Sequence, residues 1–192
     1  MFLAHRPSAH VIEEFIQNSQ SLPLSYDQVG LAKHSPSDFR IDEARATIGR
    51  GKPAFERAKL ALREWRHFEL GWVESLPKNA SIEPGTTVAI LVHHFGFWSL
   101  NGCRVVYQLG DRPDDTSFGF AYGTLTNHAE MGEEIFQVSI SPGSEEVSYS
   151  IRAASKPRAA LAWIGYPITR ILQARFRRES LAAMQRALKT NK

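Results

Sequence analysis

A short run of acidic residues beside a histidine, NHAEMGEE at 127–134, is the first place in this sequence where chemistry is conceivable. Carboxylates and an imidazole, such as those of Glu130, Glu133 and His128, can bind a metal ion or act as general acid and base. Their spacing matches no established helical metal motif, and the run is typical of a hairpin turn that leads into a strand. The favoured interpretation is therefore a solvated hairpin with a charged strand entrance, and we predict no metal site.

Glu134 is the member of this run that the strand pattern directs inward. It shares its strand face with three apolar residues that are expected to face the core, Phe136, Val138 and Ile140. A buried carboxylate requires a partner or a raised pKa, and Arg104 and His94 are candidate partners on neighbouring strands. Both faces of the strand that carries Arg104 are apolar, so its orientation stays open. A structural ion pair is favoured over a catalytic pair, and both remain possible interpretations.

Other motifs that would announce a reaction or a cofactor are weak. His93 and His94 lie on opposite faces of one predicted strand and cannot both ligate one metal ion while that strand stays regular. The glycines of IGRGK at 48–52 lack the rest of a phosphate-binding loop, and the aromatic spacing is not the full pattern of an RNA-recognition strand. We predict no cofactor and no nucleic-acid partner, and whether the protein is an enzyme stays open.

The stretch FGFAYGTL at 118–125 shows how a strand must position these residues. With a two-residue period, Phe118, Phe120 and Tyr122 share one face, and Gly119, Ala121 and Gly123 share the other. Glycine inside a strand indicates a close approach by another part of the chain or a ligand. We predict that the three aromatic rings face the concave, helix-covered side of a sheet and that the bare face lies opposite.

The order of elements predicts an α+β fold. A short helix after Ser8, a strand within 39–49 and a helix from Pro53 through 70 precede a series of antiparallel strands between 72 and 155. A long final helix follows Pro157, with one apolar stripe made of Leu161, Ile164, Ile168, Leu172, Phe176, Met184 and Leu188. With 192 residues, 43% of them hydrophobic, we expect a single domain over 1–192, in which a curved antiparallel sheet grips the C-terminal helix.

Two resemblances follow from these segments. The order of a strand, a helical insertion, a meander and a terminal helix resembles the helix-grip fold of the START-like and pollen-allergen superfamily. The segments LPLSYDQVG, FERAKLALREWRHFELGWV, GFWSLNGCRVVY, FGFAYGTLTNHAEMGEEIF and KPRAALAWIGYPITRILQARFRRES resemble, in the same order, the family known as domain of unknown function 1990. That resemblance implies no established reaction or catalytic residue. The fold resemblance implies an apolar cavity between the sheet and the helix.

The leading functional hypothesis is binding of a small apolar or amphipathic ligand in this cavity. The predicted apolar walls are Phe120, Tyr122, Phe136 and Tyr149, and the predicted polar contacts are Glu134, Arg104 and His94. One alternative is an enzyme that uses Glu134 with His94 or His128 as an acid–base pair in the same cavity. A second alternative is a peripheral-membrane or partner-binding module that uses the basic terminal helix.

The composition of the chain indicates its cellular location and its contacts with charged surfaces. Its single cysteine, Cys103, cannot form an internal disulfide, and the sequence has no run near the roughly twenty apolar residues of a membrane-spanning helix. We therefore expect a cytoplasmic protein without membrane insertion. The net charge of +3 arises from the C-terminal part of the chain, where Glu179 is the one acid after Lys156. These basic residues predict at most a weak, salt-sensitive contact with anionic surfaces.

Overall fold

The computed structural model describes residues 1–34, 36–110, 112, 114–157 and 169–189, together with the backbone of residues 162–168. In this part of the chain, eight strands form one antiparallel sheet. Seven of them follow the order β2-β8-β7-β6-β5-β4-β3, and the short β1 pairs with β5. The strands are β1 (Phe2–Leu3), β2 (Arg40–Arg50), β3 (Val73–Leu76), β4 (Thr87–His94), β5 (Phe97–Leu109), β6 (Ser117–Thr124), β7 (Glu130–Ile140) and β8 (Glu146–Pro157).

Helices occupy both sides of this sheet. They are α1 (Ala9–Ser19), α2 (Leu31–His34), α3 (Lys52–Arg63) and α4 (Ala162–Lys189), with a 3-10 turn at Arg66–Phe68. The main core lies between the inner face of the sheet, α3, the 3-10 turn and α4. The predicted α+β fold, a curved antiparallel sheet that grips a long C-terminal helix, is confirmed.

Strand β6 has the orientation that its alternation predicts. The rings of Phe118, Phe120 and Tyr122 are buried on the inner face, in the same cluster as residues of α3 and α4. Burial of apolar area contributes roughly 25 cal/mol per Å², and this gain favours placing the aromatic face inward over the bare face. The burial and the cluster membership of these rings confirm the predicted orientation.

The opposite, outer face of β6 is covered by the segment from Leu24 to α2. Ala121 packs in a second cluster with Tyr26 and Leu31, and Leu24 forms an isolated bridge with Leu125. A Cβ atom added to Gly123 would lie 2.0 Å from the Tyr26 hydroxyl, so a larger residue cannot fit there. The chain itself, and not a ligand, therefore presses on the glycine face.

Helix α3 is shorter than its sequence predicts. The predicted helix continues to residue 70, whereas α3 ends at Arg63 and Trp65 adopts a left-handed conformation with φ of 57°. This turn places the Trp65 side chain in the core, where its indole Nε1 donates a hydrogen bond to the Ala80 carbonyl at 2.8 Å. Burial of this large ring and of the following His67 and Phe68 offsets the cost of the left-handed residue.

Helix α4 docks through the C-terminal part of its predicted stripe. Met184 and Leu188 are buried, and Leu172 and Phe176 pack against the same core. Leu161 and the side chains of Ile164 and Ile168 lie outside the described residues. Over the described part of the chain, none of the helices combines the length and the hydropathy that a membrane crossing requires.

Candidate functional site

A cavity of about 370 Å³ lies between the inner face of the sheet and the middle of α4. The 3-10 turn and β3 close it on one side, and the ends of β4 to β8 form its floor. Apolar side chains form most of its wall, namely Phe68, Trp72, Ile90, Val92, Leu172 and Phe176. Polar side chains converge on the remainder, namely Asn101, Thr124, Glu130, Glu134, Gln173 and Arg177.

One row of paired residues across the sheet carries the polar end of the cavity. Asp42 on β2 pairs with Ala153 on β8, which pairs with Glu134 on β7, which in turn pairs with Tyr122 on β6. Residues that pair directly across antiparallel strands point to the same face. The strand register therefore places two carboxylates and a phenol in one line beneath α4.

Within the described residues Glu134 has one hydrogen bond, from the Tyr122 hydroxyl to its Oε2 atom at 2.8 Å. Burial raises the pKa of the Glu134 carboxyl to about 7, although the hydrogen bond and the charge of Arg177 both act to lower it. Part of the Glu134 side chain remains accessible, and this part lines the cavity. The cavity therefore contains a carboxyl group that exchanges its proton near neutral pH.

Glu130 connects the sheet to α4 at the same end of the cavity. The side-chain Nε2 of Gln173 donates to both carboxylate oxygens of Glu130 at 2.9 Å. Burial raises the pKa of Glu130, while the Gln173 hydrogen bond and the charge of Arg170 lower it by less. Because an amide carries no charge, this contact orients Glu130 without neutralising it.

Asp42 holds two arginines of α4. The guanidinium of Arg170 pairs with both oxygens of Asp42, with Nη2 to Oδ1 at 2.6 Å, and Arg177 Nη2 lies 3.4 Å from Oδ1. The Arg170 hydrogen bond lowers the pKa of Asp42 despite partial burial. A bidentate arginine–carboxylate pair is geometrically specific, so this contact fixes α4 over the sheet and directs Arg177 to the cavity.

The predicted cavity residues Tyr122, Glu134 and His94 all line the cavity. His94 lies at the end of β4, where its ring contacts Phe2 edge-on at 6.4 Å between centroids. Burial, followed by the neighbouring His93, lowers the pKa of His94 and favours its neutral form. In the described residues His94 has no hydrogen bond to Glu134, so the predicted partnership of these two side chains is not formed.

Three predicted wall residues lie one layer deeper. Phe120, Phe136 and Tyr149 are fully buried and are not on the cavity surface. The Phe136 ring packs against Phe68, Tyr122 and Phe176, which do line the cavity. The hydroxyl of Tyr149 pairs with the Ser180 hydroxyl of α4 at 3.1 Å. These residues support the walls from behind, because α4 and the 3-10 turn cover them.

Arg104 requires a correction, because the structure places it on the outer face of the sheet. Its strand neighbours are Thr87 and Gly123, one step out of phase with the row that holds Glu134. The Arg104 guanidinium donates to the carbonyl oxygens of Ser19 and Gln20, at 3.3 and 2.9 Å, where α1 ends. Arg104 therefore stabilises a helix C-terminus and neither pairs with Glu134 nor contacts the cavity.

Glu133 also departs from the solvated hairpin that the sequence predicts, because it is only 2% exposed. Its carboxylate lies on the outer face and accepts four hydrogen bonds. The donors are the hydroxyls of Tyr26 and Tyr107, at 3.0 and 2.6 Å, and the backbone N–H groups of Gly30 and Ala32, at 2.8 and 3.3 Å. Glu133 thus anchors the segment around α2 onto the sheet.

His128 is a turn residue. Its Nδ1 accepts a hydrogen bond from the Glu130 backbone N–H at 2.9 Å, within the loop that enters β7. The described residues contain no group of three or more His, Cys, Asp or Glu side chains that could hold a metal ion.

The sequence reasoning missed Asp42, Asn101 and Gln173 as members of the site. A signal existed for the residues of α4, because Arg170, Gln173 and Arg177 follow each other at the spacing of one helix face. This face of α4 lies beside the apolar stripe, and its arginines alone indicate only a basic surface. No local pattern marks Asp42, since its role depends on the distant pairing of β2 with β8.

Several arginines of α4 contact acidic groups of the protein itself. Arg170 and Arg177 contact Asp42. Arg175 pairs with Glu179 at 2.8 Å and stacks on the Trp72 ring at 4.4 Å. These contacts reduce the charge that α4 presents to a partner, and weak contact with anionic surfaces stays a prediction.

A curled antiparallel sheet around a long C-terminal helix, with a cavity between the two, defines a helix-grip protein. Solved structures with this architecture are similar to the chain at low sequence identity. A hypothetical protein from Helicobacter pylori has a TM-score of 0.51 and 12% identity over 83% of this chain and 92% of its own. The Zhui aromatase/cyclase from a Streptomyces species has a TM-score of 0.50 and 17% identity over 79% and 94%. These similarities show the fold alone.

Sequence relatives define the family. The chain belongs to the family described as Domain of unknown function (DUF1990), whose model matches residues 25–183. A UPF0548 protein of Dictyostelium discoideum is 33% identical over 100% of this chain and 97% of its own length. A UPF0548 protein of Deinococcus radiodurans is 32% identical over 97% and 98%. The resemblance predicted from the sequence segments is confirmed.

Proposed function

We propose that the protein binds a small amphipathic molecule in the cavity between the sheet and α4. The observation that carries this proposal is the division of the cavity wall, with an apolar side around Phe68, Ile90 and Leu172 and a polar end at Glu134. Ligand sites typically combine about 300 to 1,000 Å³ of mostly apolar space with a few convergent polar groups. The apolar part of the ligand would lie under α4, and its polar group would meet Glu134.

Catalysis in the same cavity is a second candidate, favoured by the environment of Glu134. A carboxyl group with a pKa of about 7 is suited to accept and donate a proton at neutral pH. Among the residues that the structure describes, the group within hydrogen-bond distance of Glu134 is the Tyr122 hydroxyl, so an acid–base pair in this geometry would join Glu134 with Tyr122. One structural neighbour is named an aromatase/cyclase, and an enzyme in this cavity is compatible with that activity on a protein of the same fold.

Adjacent residues of α4 supply a matched test of ligand binding. Leu172 lines the cavity, whereas the neighbouring Ile171 is 65% exposed. In Leu172→Trp the larger ring fills part of the cavity, while Ile171→Trp adds the same ring to the surface. We expect titration calorimetry with tryptophol, a neutral indole alcohol, to show binding to the wild-type protein and to Ile171→Trp, and at least tenfold weaker binding to Leu172→Trp.

Native mass spectrometry of protein purified without denaturation complements this titration. A molecule retained by the wild-type protein and by Ile171→Trp, but lost from Leu172→Trp, would identify the natural ligand. Equal retention by both variants would place the ligand elsewhere and contradict the proposal.

A further inference from the structure

We propose that the ligand of this cavity is a cation, an amphipathic amine whose ammonium group binds at Glu134 against the surrounding aromatic rings. This inference rests on the proposed binding function and names the chemical class of its ligand. It follows from the charges, the hydrogen-bond vacancies and the aromatic lining of the cavity.

The positive charges at the polar end of the cavity are concentrated at Asp42. Three guanidiniums, those of Arg40, Arg170 and Arg177, lie within ion-pair distance of this carboxylate. In the described residues neither Glu130 nor Glu134 has a cation within ion-pair distance. A proton or a cationic ligand can therefore supply the charge that pairs with Glu134.

Glu134 also has an unused hydrogen-bond capacity. An ionised carboxylate offers about four acceptor sites, and Tyr122 occupies one of them. Glu133, the next residue on the strand, accepts four hydrogen bonds and is complete. A primary ammonium carries three donors and can therefore complete the hydrogen bonding of Glu134.

Aromatic rings form the wall beside these carboxylates. Phe68 lies 5.1 Å from Phe176 and 6.3 Å from Tyr122, measured between ring centroids, and all three line the cavity. The face of an aromatic ring attracts a cation, and the attraction increases when water is excluded. Arg177 also lines the cavity, but its guanidinium lies 3.4 Å from Asp42. A carboxylate ligand would therefore meet two acidic groups and an arginine that is already paired, so an anion is disfavoured.

The protonation of Glu134 makes cation binding depend on pH. The pKa of this carboxyl responds to Tyr122 on β6, Asp42 on β2, Glu130 on its own strand and Arg177 on α4. Its charge in turn raises the pKa of Cys103 on β5 and of Tyr149 on β8. An ammonium group pairs with the ionised carboxylate and competes with its proton. Binding of an amine should therefore strengthen as the pH rises from about 6 to 8, whereas binding of a neutral alcohol should not.

Titration calorimetry with three probes that share one indole body tests this inference. Tryptamine is cationic, tryptophol is neutral and indoleacetate is anionic. At pH 8 we expect tryptamine to bind at least tenfold more tightly than tryptophol, and indoleacetate to bind most weakly. The preference for tryptamine over tryptophol should disappear in Glu134→Gln, and a cooperative urea unfolding transition of this variant checks that it is folded.

A surface control separates this local effect from net charge. Glu83 is exposed, and Glu83→Gln should retain the full preference for tryptamine. Binding of tryptophol without a preference for tryptamine overturns the cationic ligand and leaves the binding function in place. A tryptamine preference that survives in Glu134→Gln overturns the assigned site. Failure of all three probes to bind the wild-type protein at millimolar concentration overturns the binding function itself.

Discussion

Glu133 and Glu134 are neighbours on β7, yet they face opposite sides of the sheet and differ in how their charges are accommodated. Glu133 points outward beneath α2 and accepts four hydrogen bonds. Glu134 points inward to the cavity and accepts one hydrogen bond from the part of the chain that the structure describes. A buried carboxylate with complete hydrogen bonding stabilises a fold, whereas an incomplete one carries a cost that a ligand can relieve. The outer carboxylate therefore belongs to the architecture and the inner one to the candidate site.

The largest expected effect is the loss of the outer carboxylate. Glu133→Ala leaves two tyrosine hydroxyls and two backbone N–H groups buried without an acceptor, and should lower the free energy of unfolding by about 3–5 kcal/mol. Urea denaturation measures this change. A loss below about 1 kcal/mol would show that the segment around α2 is not anchored by Glu133.

The inner carboxylate, Glu134, should instead make the free energy of unfolding depend on pH. Its pKa rises from an ordinary 4.5 to about 7 on folding, so the folded state binds the extra proton between these values. Stability then falls as the pH rises through this window, by about 1–3 kcal/mol for a partly accessible group. The difference between wild type and Glu134→Gln in urea denaturation isolates this slope from other groups. A difference that does not vary with pH would contradict the assigned environment of Glu134.

The sequence alone predicted the side of the sheet that Glu134 faces but not the environment of Glu133. The alternation of β6 and β7 carries the orientation, because a two-residue period assigns each side chain to one face. The cover over Glu133 comes from residues 24–32, which the sequence shows only as a connection punctuated by proline and glycine. Hydrogen bonds between segments a hundred residues apart leave no local pattern in the sequence. The pattern around Glu133 therefore predicts a solvated charge, although the side chain is buried.

The orientation of Arg104 was equally inaccessible to sequence analysis. Strand β5 is apolar on both faces, because α1 covers part of its outer side. An irregularity between Val105 and Tyr107 then shifts the register and breaks the alternation. Likewise, the left-handed turn at Trp65 ended α3 before its periodic pattern did. In both cases tertiary packing overrides the local signal.

Arg104 provides the next smaller test of the difference between the two faces. Arg104→Ala removes hydrogen bonds to the carbonyl oxygens that end α1, and should lower stability by about 1 kcal/mol. Because this side chain lies on the outer face, the affinity for tryptophol should not change. A loss of ligand affinity without a loss of stability would place Arg104 in the site after all.

The smallest expected effect concerns the Tyr122 hydroxyl. This group donates to Glu134 and lowers its pKa, so Tyr122→Phe should move the pH window of Glu134 upward while the ring keeps its packing. We expect a change in stability of about 1 kcal/mol or less at pH 5, where the carboxyl is protonated. Urea denaturation over the pH range measures both quantities, and an unchanged or lowered window would argue against the hydrogen bond.

Direct titration of the Glu134 carboxyl tests whether this group has a raised pKa and free hydrogen-bond acceptors that a ligand can use. Carbon-detected NMR of protein labelled at glutamate side chains, with Glu134→Gln used for assignment, follows its protonation. We expect a midpoint of about 7 without ligand and a lower midpoint with saturating tryptamine, because the ammonium stabilises the ionised form. A midpoint in the ordinary range of glutamate, with no response to tryptamine, would contradict this expectation.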